Sequence, residues 1–256
     1  MDGALQDFAE ECWESGDAKS VVGYALSAVT HEIPNLRGHL KGTWSLLKTW
    51  QQHELPDRAL VIVKKQVEAM IGYALREKRH DLAAAYSAGF SELLRPGELG
   101  LLLASNVTFS RDGAKAVLDL GFTKSGKRLG RREKVVSVDP ETNLLLSLVL
   151  LGRSPGTKLL PLGVPEFRKA FARHTQAIGS DSALVKPYSL RRGGATHHFA
   201  QKGNLQATGE KGRWRQLATA RLYIDEAASE VAQMELTAKQ LKMVEKGRKW
   251  WRKLLM

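Results

Sequence analysis

Between Ala18 and Gln52 apolar residues recur at helical spacing and Pro34 interrupts them, which predicts two short helices. The second carries Leu40, Trp44, Leu47 and Trp50 as one stripe, and "HELPDRA" after it reads as a boundary. From Arg58 the pattern predicts a long helix to about Arg79, a second from Asp81 to Leu94, and a third opening at "RPGEL", where Pro96 suits a first turn. The period then changes. "SNVTFS", "AKAVLDLGFT" and "EKVVSVD" are short and rich in Val, Thr and Phe, and "RDG" and "KSGKRLGRR" separate them. They predict three antiparallel strands with a basic turn. Helices resume near Pro140, continue through "GVPEFRKAFARHTQAI", and recur after "VKPYS", "QKGN" and "TGEKG". The whole reads as a mainly α (α+β) protein: a short helical N-terminal domain over residues 1–56, a helical domain with a small three-stranded antiparallel sheet over 57–232, and a basic C-terminal helix or tail over 233–256.

Composition narrows the function classes. With 256 residues, 43% of them hydrophobic, the chain is long enough to bury a core. Its one cysteine, Cys12, excludes an internal disulfide framework. No apolar run reaches the roughly 18 residues of a membrane span, and the acidic opening "MDGALQDFAEECWESGD" is unlike a signal or transit peptide. An intracellular protein without a membrane partner is the expectation. The formal charge is +12, unevenly spread. Residues 1–56 hold 4 Lys/Arg against 8 Asp/Glu, and residues 239–256 hold 7 against 1, so the body between them carries +10. Such a body favours a polyanion, because neutralising phosphates releases condensed counterions.

Several chemistries lack their residues. Adjacent His197 and His198 point about 100° apart on a helix, with no third ligand at metal spacing, so no metal site is expected. There is no GxxxxGK[ST] run to cradle a nucleotide, and no Ser/His/Asp arrangement stands out. An RNP-like aromatic strand and a GXXG loop, which would suggest RNA, are also missing.

Four features remain, each with a plain structural alternative. In "LLRPGEL", Arg95 precedes a helix start and Glu98 follows at i+3, which is also the spacing of a surface ion pair. From Lys124 to Lys134 six Lys/Arg stand against one acid, as a solvated hairpin would have. In "YSLRRGGATHH" paired glycines allow close backbone approach beside Arg191 and Arg192. Tyr223 follows Trp214 by nine positions, and a tyrosine there is otherwise a wedge of core.

Taken in order, Arg95, a lysine in a β-turn, "SLRRGGAT", a tryptophan 23 residues after Arg191 and a tyrosine nine further on resemble the tyrosine recombinase or phage integrase family. The resemblance covers about residues 58–228 and suggests a mobile-element relative. It implies a DNA strand-cleaving and rejoining enzyme that works through a covalent 3′-phosphotyrosyl intermediate. Tyr223 would be the nucleophile, Arg95 and Arg191 the phosphate clamp, Lys124 the general acid, Trp214 a supporting residue, and Glu98 the acid behind the first arginine. Lys127, Arg128, Arg131, Arg132 and Arg192 would face double-stranded DNA, and Lys127 is the fallback for Lys124. The resemblance further implies a homo-oligomer, a tetramer on DNA, and a DNA-associated location, nuclear if the host is eukaryotic. Residues 1–56 would be a partial core-binding domain.

The implied chemistry suits these residue types. A phosphodiester repels nucleophiles until its non-bridging oxygens are neutralised, and a guanidinium binds two of them in a fixed fork. A phosphotyrosyl link conserves the bond, so neither ATP nor a metal or other cofactor is expected. One position departs from the pattern. Tyr188 stands where the family usually has histidine or lysine, three residues before the second arginine, and Arg192 stands where histidine often follows it. Tyr188 joins the candidate catalytic set on position alone. This departure and the short N-terminal region leave open a second reading, a non-catalytic DNA-binding protein derived from a decayed or domesticated recombinase. The tail, "KQLKMVEKGRKWWRKLLM", reads as a frayed solvated helix or as one that packs on a neighbouring protomer, on phosphates or on acidic lipid.

Overall fold

Helix α1 (Asp2–Glu14) takes up the acidic N-terminal segment, whose charge masks a stripe of Leu5, Ala9 and Cys12 at i, i+4, i+7 spacing. No element was predicted there. The computed structural model describes residues 1–53, 59–123, 130, 132–234 and 236–255, and the chain divides into two compact units, Met1–Arg58 and Ala59–Met256. In the first unit α1 is joined by α2 (Lys19–Glu32), a 3-10 turn (Pro34–Gly38) and α3 (Lys41–His53). Leu5, Ala9, Cys12, Val22, Leu26, Leu40, Leu47 and Trp50 form its core. Trp44 departs from the predicted stripe: it is 52% exposed, whereas Trp50 is buried and meets Trp13 edge-on at 4.9 Å. The Asp2 carboxylate accepts from the backbone N–H groups of Gly42 and Thr43 (2.9 and 3.0 Å) and from the Thr43 hydroxyl (2.6 Å). It thereby satisfies first-turn donors of α3, as an N-cap side chain would.

The larger unit opens differently from its predicted start. Residues 59–63 are extended, and the helix begins only at α4 (Lys64–Arg76). Val61, Ile62 and Val63 are all buried, and a run of β-branched side chains favours extended backbone. The Leu60 N–H donates to the Leu184 carbonyl (3.0 Å). There follow α5 (His80–Ser91), α6 (Pro96–Leu101), a 3-10 turn (Ala104–Asn106), strands β1 (Val107–Phe109), β2 (Ala116–Gly121) and β3 (Glu133–Ser137), and α7 (Pro140–Leu150). The three strands pair antiparallel in the order β1-β2-β3, with Val117 opposite Thr108 and Val136. Alternation along β3 turns Glu133, Val135 and Ser137 inward, which carries two polar side chains into the interior. The remaining helices are α8 (Gly163–Ala177), α9 (Tyr188–Lys202), α10 (Leu205–Lys211), α11 (Leu217–Arg221), α12 (Glu226–Met234) and α13 (Ala238–Leu255). The protein is mainly α with one small antiparallel sheet, as its periodicity predicted.

The paired glycines of α9 are spacing devices. A Cβ on Gly193 would overlap the Ile62 carbonyl, and one on Gly194 the Phe90 carbonyl, so α9 lies directly on the extended entry segment and on α5. The basic C-terminal helix is docked in the same way. A Cβ at Gly72 of α4 would overlap the Gly247 carbonyl of α13, Trp251 is buried, and Trp250 meets Tyr73 at 4.9 Å with the Arg76 guanidinium over its ring. Arg248 adds an ion pair to Glu68 at 2.6 Å. The helix is therefore part of the core of its own chain. Gly72→Val is expected to lower unfolding stability by about 1–3 kcal/mol or more, since the helices cannot separate without exposing Trp251. Urea unfolding measures it, and an unchanged midpoint would show that the close approach contributes nothing.

Candidate active site

Arg191 is the centre of the site. It sits in the first turn of α9 with no exposed surface, and its guanidinium donates from Nη1 to the Leu93 carbonyl and from Nη2 to the Gly212 carbonyl. Its Cζ lies 4.5 Å from the Trp214 ring centroid and 5.6 Å from that of Tyr223. Burial, then the charges of Arg95 and Arg213, pull its pKa down to about 10, so it stays charged at neutral pH. Leu93 accepts this bond from a left-handed backbone (φ 52°), a costly conformation for a branched side chain.

Tyr223 approaches from the segment after α11. Its ring lies 4.5 Å from that of Trp214, and its hydroxyl is 2.6 Å from the Tyr188 hydroxyl. Tyr188 opens α9 three residues before Arg191, so both project from the same face. Burial, and then the bond to Tyr223, raise the Tyr188 pKa above that of an ordinary tyrosine. At neutral pH it is a phenol that holds its neighbour's hydroxyl. Thr196, five residues beyond Arg191, fixes the chain on both sides: its hydroxyl donates to the Tyr223 carbonyl and accepts from the Asp225 N–H, each at 3.1 Å.

Arg95 caps α6. Its N–H donates to Glu98 Oε2 (2.8 Å) and its Nη1 to Glu98 Oε1 (2.6 Å), so the i, i+3 pair exists and is mostly buried. Burial works to lower the Arg95 pKa, but Glu98 outweighs it and leaves the value raised. The second oxygen of Glu98 also takes a bond from Arg213 Nη2 at 2.7 Å.

Other candidates lie elsewhere. Arg192 is turned inward, donating to the Ala59 carbonyl (2.9 Å) and to Asp225 (2.8 Å), so it braces the fold where a DNA contact was expected. Arg132 is 53% exposed and pairs with Asp119 at 3.1 Å. Lys124, Lys127, Arg128 and Arg131 fall outside the described residues. His197 packs on Phe90, and His198 shares a 2.8 Å hydrogen bond with Thr208. Among the described residues no three His, Cys, Asp or Glu converge as a metal site would require, and no helix is long and apolar enough to cross a membrane.

Three solved structures of similar fold are DNA complexes. A lambda integrase dimer bound to a COC′ core site matches with a TM-score of 0.59 and 14% identity, over 88% of this chain and 65% of that one. The Tn1549 transposon integrase in complex with transposon right end DNA matches at 0.56 and 12%, over 91% and 85%. The XerH site-specific recombinase in a post-cleavage complex with a palindromic difH substrate matches at 0.54 and 13%, over 84% and 72%. The chain has the fold of a tyrosine recombinase. No protein-family model matches its sequence, and no curated protein does.

Within this recombinase fold, the described candidates Arg95, Glu98, Tyr188, Arg191, Trp214 and Tyr223 form one linked cluster. Other residues around it were missed. Arg213 is 11% exposed and shared between Glu98 and Glu133; fully buried Glu92 accepts from Ser137 (2.8 Å) and pairs with Lys211 (3.1 Å); and Thr196 secures the Tyr223 segment. Arg213 and Lys211 flank the Gly212 that Arg191 binds, so proximity in sequence to "GRW" was the available signal.

Proposed function

We propose that this chain cleaves and rejoins double-stranded DNA through a covalent link between a 3′-phosphate and Tyr223. The observation that supports this reading is the convergence of the Tyr223 hydroxyl and the Trp214 ring on a buried Arg191, with Arg95 close enough to lower the pKa of Arg191. In this reading Arg95 and Arg191 neutralise the non-bridging oxygens of the scissile phosphate. Arg191 Nε and Trp214 Nε1 are buried and have no hydrogen-bond partner among the described residues. As the Tyr223 oxygen attacks phosphorus, its hydroxyl proton is lost to solvent. The bond to the 5′ oxygen breaks, and that oxygen takes up one proton from a general acid, a role the family resemblance gives to Lys124, so the step consumes no net proton. Tyr188 aligns the nucleophile and is no base, because its raised pKa keeps it protonated. Assembly of several copies on DNA, and descent from a mobile element, belong to the same proposal.

The experiment is incubation of the full chain with a pool of nicked duplexes in excess EDTA and without ATP, followed by a denaturing gel. A covalent protein–DNA adduct is expected, because two arginines supply the charge stabilisation and the phosphotyrosine conserves the bond. An adduct that forms only with added divalent metal would overturn this mechanism.

A second reading, a DNA-binding protein without turnover, has its own support. Both terminal nitrogens of Arg191 are engaged by backbone carbonyls, and the Tyr223 hydroxyl is occupied by Tyr188. Salt-sensitive DNA binding with no adduct under any condition would favour it.

A further inference from the structure

Arg213 occupies a conformation that an arginine enters at a cost. Its φ is 57°, in the left-handed region where a glycine would sit without strain, and it lies in the turn between α10 and the buried edge of Trp214. What the side chain does there is specific. Nη2 donates to Glu98 Oε2 at 2.7 Å, and Nε lies 3.5 Å from Glu133 Oε2 at the start of β3. The same Glu98 oxygen accepts the Arg95 N–H, and the other holds Arg95 Nη1. Glu98 thus has one oxygen for each arginine side chain, and its rotamer is fixed from both sides. The strained turn also sets Gly212, whose carbonyl binds Arg191.

The geometry points to Arg213 as a positioning residue: it holds Glu98, and through it the Arg95 guanidinium, in register with Arg191. This inference rests on the strand-cleaving reading and adds to it a residue outside the Arg95, Arg191, Trp214 and Tyr223 set. The charge arrangement fits a relay better than a direct phosphate ligand. Arg213 has carboxylates at Nη2 and Nε, and burial followed by the Arg95 charge favours its neutral form, with Glu98 and Glu133 opposing them. Its Nη2 is hydrogen-bonded to Glu98, and its Nε and Nη1 are buried away from solvent without a hydrogen-bond partner among the described residues, so the side chain faces the protein and not an incoming phosphate. Arg95, by contrast, retains about a quarter of its side-chain surface.

The test uses Arg213→Gly, Arg213→Lys, Glu98→Gln and the double variant Glu98→Gln/Arg213→Gly in the full chain, with the same pool of nicked duplexes. Arg213→Gly relieves the backbone while deleting the relay. It is expected to bind the duplex pool with wild-type affinity and to form the adduct on the order of 10²-fold more slowly, the loss typical of a misaligned reacting group. Arg213→Lys, which keeps the charge, is expected to recover part of the rate. The double variant is expected to be no slower than Glu98→Gln alone, since both lesions break one link. Multiplied losses in the double variant would overturn positioning and make Arg213 a phosphate ligand itself, and a wild-type rate in Arg213→Gly would overturn any role. Unfolding midpoints of the four proteins give a readout independent of activity. Non-additive shifts support the Arg213–Glu98 link, and additive shifts overturn it. A wild type that never forms the adduct sinks the strand-cleaving reading, while the unfolding cycle still decides the link.

Discussion

Tyr223→Phe is expected to abolish the covalent adduct completely while leaving the fold and DNA binding in place. The substitution removes one oxygen from a half-buried ring whose other contacts are faces and edges: Trp214 at 4.5 Å and Arg191 at 5.6 Å. Those contacts do not need the hydroxyl. The one bond lost is to Tyr188, at a partly exposed position, so the stability cost is about 0.5–1.5 kcal/mol at most. Chemistry has no such latitude, because no other atom of residue 223 can bond to phosphorus. The Tyr188 hydroxyl, 2.6 Å away, is the alternative nucleophile nearest to it among the described residues' hydrogen-bond partners. An adduct that persists in Tyr223→Phe and disappears in Tyr188→Phe would transfer the role to Tyr188. Adducts in both single variants and none in the double would mean that either phenol serves.

What sequence revealed of this site, and what it hid, follows from how local each constraint is. The strands were legible because alternation is a nearest-neighbour property, and "AKAVLDLGFT" folds where its period says it should. Gly193 and Gly194 announced a close backbone approach, although not that Ile62 and Phe90 supply the backbones. The start of α4 was misread because "ALVIV" satisfies a helical pattern as well as a buried extended one, and only the bond from Leu60 to Leu184 decides between them. Arg192 illustrates the limit most clearly. Beside Arg191 it looked like a second DNA cation, yet its partners are the Ala59 carbonyl and Asp225, which the fold brings together from far along the chain. Arg213 was hidden for the same reason, since Glu98 and Glu133 are distant in sequence and left-handed backbone at an arginine has no sequence signature. The tail was ambiguous for another reason. Its sequence suits a solvated helix as well as a packed one, and nothing in "RKWWRKLL" says that Trp250 and Trp251 are covered by α4 of the same chain.

Arg191→Ala is expected to lower the rate of adduct formation by at least on the order of 10²–10³-fold, the loss typical of one preorganised charge donor. It is also expected to destabilise the chain, unlike Tyr223→Phe. Arg191 has no exposed surface, and it closes the Leu93 and Gly212 carbonyls while supporting the Trp214 ring. Truncation leaves both carbonyls without this donor and a void beneath the indole, for which about 3–5 kcal/mol is reasonable. Because a rate loss could then reflect unfolding, Arg191→Lys is the informative partner. Lysine keeps a charge and much of the volume but cannot serve two carbonyls in a fixed fork and stack flat on Trp214. It is expected to fold, to bind duplex DNA within a few-fold of wild type, and to remain slow. Single-turnover adduct formation, measured beside urea unfolding of the same preparations, separates the two effects. If Arg191→Lys is folded and cleaves at the wild-type rate, the fork geometry is irrelevant and the clamp reading of Arg191 fails. If both variants are fully stable, the two carbonyl bonds hold nothing together.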